Sequence, residues 1–196
     1  MSGLRQRKKQ AAMRHIQLCA VRLFQERGFD QVTVEQIAQA AEVSPSSIYR
    51  YFGTKEGLVL HDEHDERLIG ILVTELEQGT PILESLTRGL DAISHDHFQR
   101  DREATLARTG LWAQHAGIQA AAAIYLRNLG DQMSDAIVAG GRYSKPEARV
   151  IVAALTQAMI TAIFTWYDEG ARHPPETYFT QALTVLADVF HDPKRD

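Results

Sequence analysis

Apolar residues recur along this chain with the period of a helix turn. Ile16, Ala20, Leu23 and Phe24 fall at i, i+4, i+7 and i+8, one face of a first helix that Gly28 closes. Thr33-Val34-Glu35-Gln36 has the form of a capping box, and Ile37, Ala38 and Ala41 supply the apolar side of a second helix. Ser44-Pro45 opens a third, because proline at the first helical position gives up an N–H that had no partner there, and Phe52-Gly53 ends it. Thr54 caps a fourth helix, which Leu58, Leu68, Ile71, Leu72 and Leu76 carry to Gly79-Thr80-Pro81. Further helical stretches cover 82–99, 102–115, 118–139, 146–169 and 175–191, punctuated by glycine and proline. No run alternates apolar and polar positions with a period of two, so the pattern predicts an all-α chain of about nine helices.

The spacing of the second and third helices carries the chemistry. They are joined by Glu42-Val43, the tight turn of a helix-turn-helix, whose second helix enters the major groove of DNA. Ile48 and Phe52 lie one turn apart and face the core. Ser46 with Arg50, and Ser47 with Tyr51, form outward pairs at the same spacing. Serine hydroxyls serve base edges or phosphates, and arginine forks onto guanine O6 and N7. Tyrosine hydroxyls reach phosphate oxygens, and Lys55 places a point charge just after Thr54.

Charge first opposes this picture and then supports it. The net charge of -4 over 196 residues argues against a nucleic-acid partner. Residues 1–60, however, hold 9 basic and 5 acidic residues, whereas 61–196 hold 12 and 20. Arg5, Arg7, Lys8, Lys9 and Arg14 make a basic arm with no acid before Glu26. The single cysteine, Cys19, excludes an internal disulfide and falls on the apolar face of the first helix as a small hydrophobe. Val150–Phe164 is interrupted by Thr156, Gln157 and Thr161, short of the ~18–20 apolar residues of a membrane span. A soluble cytoplasmic protein with no membrane partner and no cofactor is expected.

Residues 14–58 resemble the DNA-binding domain of the TetR family of transcriptional regulators. Ala20, Phe24, Gly28-Phe29, Thr33, Ile37-Ala38, Ala41, Val43-Ser44, Ile48-Tyr49, Phe52 and Lys55-Glu56-Leu58 carry the resemblance. Glu42 departs from it, standing where the family often has glycine, and Tyr51 stands where histidine is common. The resemblance implies a three-helix DNA-binding domain over 1–60 and a helical effector-binding and dimerisation domain over 61–196. It implies no enzyme, but a homodimeric repressor that holds a palindromic double-stranded operator and is released by a small-molecule effector. Thr33, Ser44, Ser46, Ser47, Tyr49, Arg50, Tyr51 and Lys55 are the expected DNA contacts.

For the second domain, the stretches 146–169 and 175–191 are rich in small and apolar residues that permit close helix approach, and they are the expected dimer interface. Trp112, His115, Tyr125, Phe164, Trp166 and Tyr167 are the candidates for an effector pocket. A different class of function rests on His61 and His64. Placed i, i+3 on one helix with Asp62, Glu63, Asp65 and Glu66 beside them, they offer the start of a divalent metal site for a helical metal-dependent enzyme.

Overall fold

The computed structural model describes residues 2–62, 64–94 and 102–190, with side chains from residue 7 to residue 188 within those spans. Among the described residues ten helices follow one another: α1 (Ser2–Arg27), α2 (Val34–Ala40), α3 (Pro45–Phe52), α4 (Gly57–Leu60), α5 (Asp65–Glu77), α6 (Ile82–Ser94), α7 (Arg102–Gln114), α8 (Ala116–Ala139), α9 (Lys145–Asp168) and α10 (Pro175–Phe190). No strand occurs among the described residues. The chain divides into two compact units, one of Met1–Glu63 with Glu103–Ala123 and one of His64–Arg102 with Ile124–Asp196.

The first unit is built around α1. Ile16, Ala20, Leu23 and Phe24 are buried with Phe29, Val32, Ile37, Ala38, Ile48, Phe52 and Leu58 in one apolar cluster. Ile118 of α8 is 0% exposed in the same cluster, and Leu111 and Trp112 of α7 pack against it. Lys8 and Lys9 stand exposed on the first turns of α1, so the basic segment is part of that helix and not an arm ahead of it. Arg5 has its side chain outside the described ones.

The expected fourth helix is broken into α4 and α5. Its apolar spacing continues from Leu58 to Leu76, yet His61 takes an extended conformation (φ -61°, ψ 131°) and ends α4 after one turn. Donors from elsewhere make this possible. Gln17 Nε2 donates to the carbonyls of Leu58 (3.1 Å) and His61 (2.7 Å). Arg108 donates from Nε to Val59 O (2.7 Å) and from Nη2 to His61 O (2.8 Å), with Asp62 3.8 Å away. The last carbonyls of a helix need partners, and these side chains supply them where a longer helix would have used its own backbone. Asp65 and Glu66 then start α5 with negative charge at the positive end of its dipole.

The second unit buries Leu72 and Leu76 with Met133, Ile137, Ala148 and Val152, and Leu86 with Leu155 and Leu183. Ser144 and Glu147 form a capping box at the start of α9, and hydrogen bonds from Ser144 hold the Glu147 carboxyl below the usual carboxylate range. α9 closes with Gly170 (φ 71°), whose N–H donates to Tyr167 O, while Ala171 N–H reaches Trp166 O. α9 is 24 residues long and contains an 18-residue stretch of mean hydropathy 1.7, long and apolar enough to cross a membrane by length and composition. Thr156, Gln157 and Thr161 interrupt this stretch, yet its average stays apolar. Only 22% of the apolar stretch is buried within the protein, and α9 packs chiefly on α10.

Candidate nucleic-acid interface

The helix-turn-helix is fixed at each end by local hydrogen bonds. Thr33 Oγ1 accepts from Gln36 N–H (3.3 Å) and Thr33 N–H donates to Gln36 Oε1 (3.0 Å), which completes the capping box of α2. α2 ends in a Schellman motif: Glu42 N–H donates to Gln39 O and Val43 N–H to Ala38 O. Glu42 adopts φ 54°, the left-handed conformation that the turn demands of its central residue. Ser44 Oγ accepts from Ser47 N–H (3.3 Å) and lies 2.9 Å from Ser46 Oγ and 3.0 Å from Ser47 Oγ. Three hydroxyls therefore gather at the N-terminus of α3, where backbone N–H groups and the helix dipole favour a phosphate oxygen.

α3 then presents two faces. Ile48 and Phe52 are buried, whereas Tyr49 is 50% exposed and Ser46 and Arg50 are exposed. Arg50 lies over the Tyr51 ring, 4.7 Å from its centroid, and Nη2 donates to Tyr51 Oη (3.1 Å). The remaining guanidinium N–H groups keep their donor capacity. Gly53 (φ 73°) caps α3, and Thr54 Oγ1 accepts from Gly57 N–H (3.1 Å) to start the next turn. A Cβ on Gly57 would fall 2.0 Å from Phe52 O, so this close approach requires glycine. Composition and spacing gave no sign of that requirement.

Among the expected DNA contacts, Thr33, Ser44, Ser46, Ser47, Tyr49, Arg50, Tyr51 and Lys55 all belong to the first unit. Lys55 is partly buried, with Nζ 4.2 Å from the Phe29 ring centroid and 5.9 Å from that of Phe24. The effector candidates are divided. Trp112 and His115 belong to the first unit, where Trp112 packs on the core and His115 lies 5.2 Å from the Phe29 ring. Tyr125, Phe164, Trp166 and Tyr167 belong to the second. Tyr125 donates its hydroxyl to Asp65, and Trp166 is 0% exposed with Nε1 donating to His173 O (3.0 Å). A shallow cleft between α6 and α10, about 280 Å³ with its open mouth included, is lined by Thr87, Leu90, Asp91, Glu176, Phe179, Thr180 and Leu183. None of the candidates lines it.

His61 and His64 do not share a helix face. His61 is the extended residue after α4, and His64 is the buried residue before α5. Among the described residues no group of three or more His, Cys, Asp or Glu could hold a metal ion; Glu63 lies outside them. The Cys19 Sγ lies 3.7 Å from Ala40 O and 4.0 Å from His15 Nε2 in the packed contact of α1 with α2.

A capped helix pair joined by a tight left-handed turn, with a polar outer face and a basic flank, is a helix-turn-helix DNA-binding module. Residues 19–61 match the model of the tetR family of bacterial regulatory proteins. The HTH-type transcriptional regulator TcmR of Streptomyces glaucescens is 43% identical over 58 residues, which cover 30% of this chain and 26% of that protein. The match thus spans about a quarter of the curated relative. Residues 19–61 are thus similar to the DNA-binding helix-turn-helix of the TetR family of transcriptional regulators. Solved structures extend the likeness of fold over nearly the whole chain. FadR of Thermus thermophilus, a TetR-family repressor in complex with lauroyl-CoA, has a TM-score of 0.58 at 21% identity, covering 90% of this chain and 93% of that one. FadR of Bacillus halodurans gives 0.55 at 20%, covering 88% and 96%. NalD, the secondary repressor of the MexAB-OprM efflux pump in Pseudomonas aeruginosa, gives 0.53 at 20%, covering 91% and 94%.

Proposed function

We infer that the protein is a dimeric, ligand-responsive transcriptional repressor of the cytoplasm that binds a palindromic operator. The observation that carries this reading is α3 itself: Ile48 and Phe52 lock one face into the core, and the opposite face offers Ser46, Tyr49 and Arg50. Arg50 reads base edges, while Tyr49, Lys55 and the serine hydroxyls hold phosphates. Residues 1–60 form the DNA-binding domain, and 61–196 form the effector-binding and dimerisation domain.

α9 and α10 form the dimer interface in this reading. Val150 is 71% exposed on α9 and Val185 54% exposed on α10, and Ala153 is exposed one turn from Val150. A second copy burying these helices gives a symmetric four-helix contact and pairs two recognition helices across half-sites roughly 34–36 Å apart. Tyr125, Phe164 and Tyr167 are the partly buried aromatic candidates of the second unit, and we place the effector among them. Because one structural neighbour was solved with lauroyl-CoA, that compound is the first probe of an effector.

Selection of bound duplexes from a random pool tests the proposal. A palindromic consensus is expected, and a pool that returns no consensus overturns it. Arg50→Ala should relax base preference at one position of each half-site, at a cost of about 1–3 kcal/mol in discrimination. Lys55→Ala and Tyr49→Ala should weaken binding to all sequences alike. Unchanged preference in Arg50→Ala would remove Arg50 from base readout.

A further inference from the structure

Phe29 lies between α1 and α2, outside the helix pair that reads DNA, yet its ring is where Lys55 rests. The ring is almost fully buried and is flanked by Phe24, with centroids 4.8 Å apart at 57°, and by His115, 5.2 Å away at 45°. The Lys55 ammonium sits 4.2 Å from its centroid. Within about 6 Å of a ring face the aromatic quadrupole attracts a cation. The backbone of Lys55 is held as well, because it follows Gly53 and Thr54 in the turn that Gly57 closes.

A lysine stem has four rotatable bonds, and fixing it on a phosphate costs conformational freedom at the moment of binding. A ring that already holds the ammonium moves that cost from binding into folding. Contact with one face of a ring occupies one side of the ammonium, and its other N–H groups remain for a phosphate oxygen. We propose that Phe29 is a positioning residue for DNA binding: its ring, steadied by Phe24 and His115, holds the Lys55 ammonium ready for the phosphate backbone. This rests on the reading that the head binds duplex DNA.

A double-mutant cycle on the full chain tests it, with a labelled random-sequence duplex titrated at several salt concentrations. Lys55→Ala should weaken binding about tenfold and flatten the salt dependence by about 0.9 per lost phosphate contact. Phe29→Leu keeps the lysine charge and the apolar filling; it should weaken the wild type about fivefold, but by less than twofold when Lys55 is already alanine. Phe29→Tyr keeps a ring face and should bind within about twofold of wild type. Phe29→Met fills the same space without a ring and serves if the leucine variant melts below the assay temperature. Equal losses for Phe29→Leu in both backgrounds, or none in either, overturn the positioning role. Wild-type binding with an unaffected Lys55→Ala variant overturns the link between Phe29 and Lys55 alone. Absence of wild-type binding to any duplex at low salt overturns the DNA-binding reading itself.

Discussion

Glu42 shows how much a single residue can concede to a turn. It occupies the left-handed position that closes α2, with φ 54°, where glycine carries no steric penalty. Glu42→Gly should therefore stabilise the protein by roughly 0.5–1 kcal/mol, read as a higher melting temperature. A lower one would mean that the Glu42 side chain makes a compensating contact. This departure was legible in the sequence, because turn geometry is a local property of four consecutive residues. The faces of α3 were legible for the same reason: Ile48 and Phe52 are buried and Arg50 is exposed, as their spacing required. The resting place of Lys55 on Phe29 was not, since the two are 26 positions apart and no periodicity links them. The pairing of Arg50 with Tyr51 was also missed, because alternate helix faces suggested separate roles for neighbours whose long side chains in fact meet.

At the scale of elements, the chain announces its helix starts more clearly than its helix ends. Thr33 and Ser44 cap α2 and α3 as their sequence signatures indicated. The break between α4 and α5 carries no glycine or proline, and the apolar spacing runs straight across it. It depends instead on Gln17 and Arg108, which lie 44 and 47 positions from His61 and accept the task of pairing its carbonyl. Arg108→Met, which keeps the apolar stem and removes the donors, should destabilise the protein by roughly 1–3 kcal/mol, measured by urea unfolding. An unchanged midpoint would show that water pairs the Val59 and His61 carbonyls equally well. The shared helix face expected of His61 and His64 failed on the same break, because an i, i+3 relation has no meaning where the backbone is extended.

For the molecule as a whole, the charge contrast is real but softer than the sequence suggested. The first unit, with Glu103–Ala123 counted in, holds 10 basic and 8 acidic residues, and the second holds 11 and 17. Repulsion between the acidic unit and the duplex still favours approach by the head. The outward apolar residues of α9 and α10 lead to a second expectation at this scale. Val150→Glu should convert the dimer to a monomer in sedimentation and abolish operator binding, because like charges meet across a two-fold axis. A dimer that persists would move the interface elsewhere. Composition marked a change near residue 60, but it could not show that a later segment folds with the head. That depends on Ile118, near the start of α8, whose 0% exposure only the tertiary structure reveals.

The discontinuity of the head bears on how such regulators could be recombined. A hybrid that splices residues 1–60 onto the body of a different relative would put foreign side chains where Ile118 fills the core and Arg108 pairs with α4. The transferable piece is the first sixty residues together with the stretch 103–123, and new operators could be grafted onto old sensors only if both travel together.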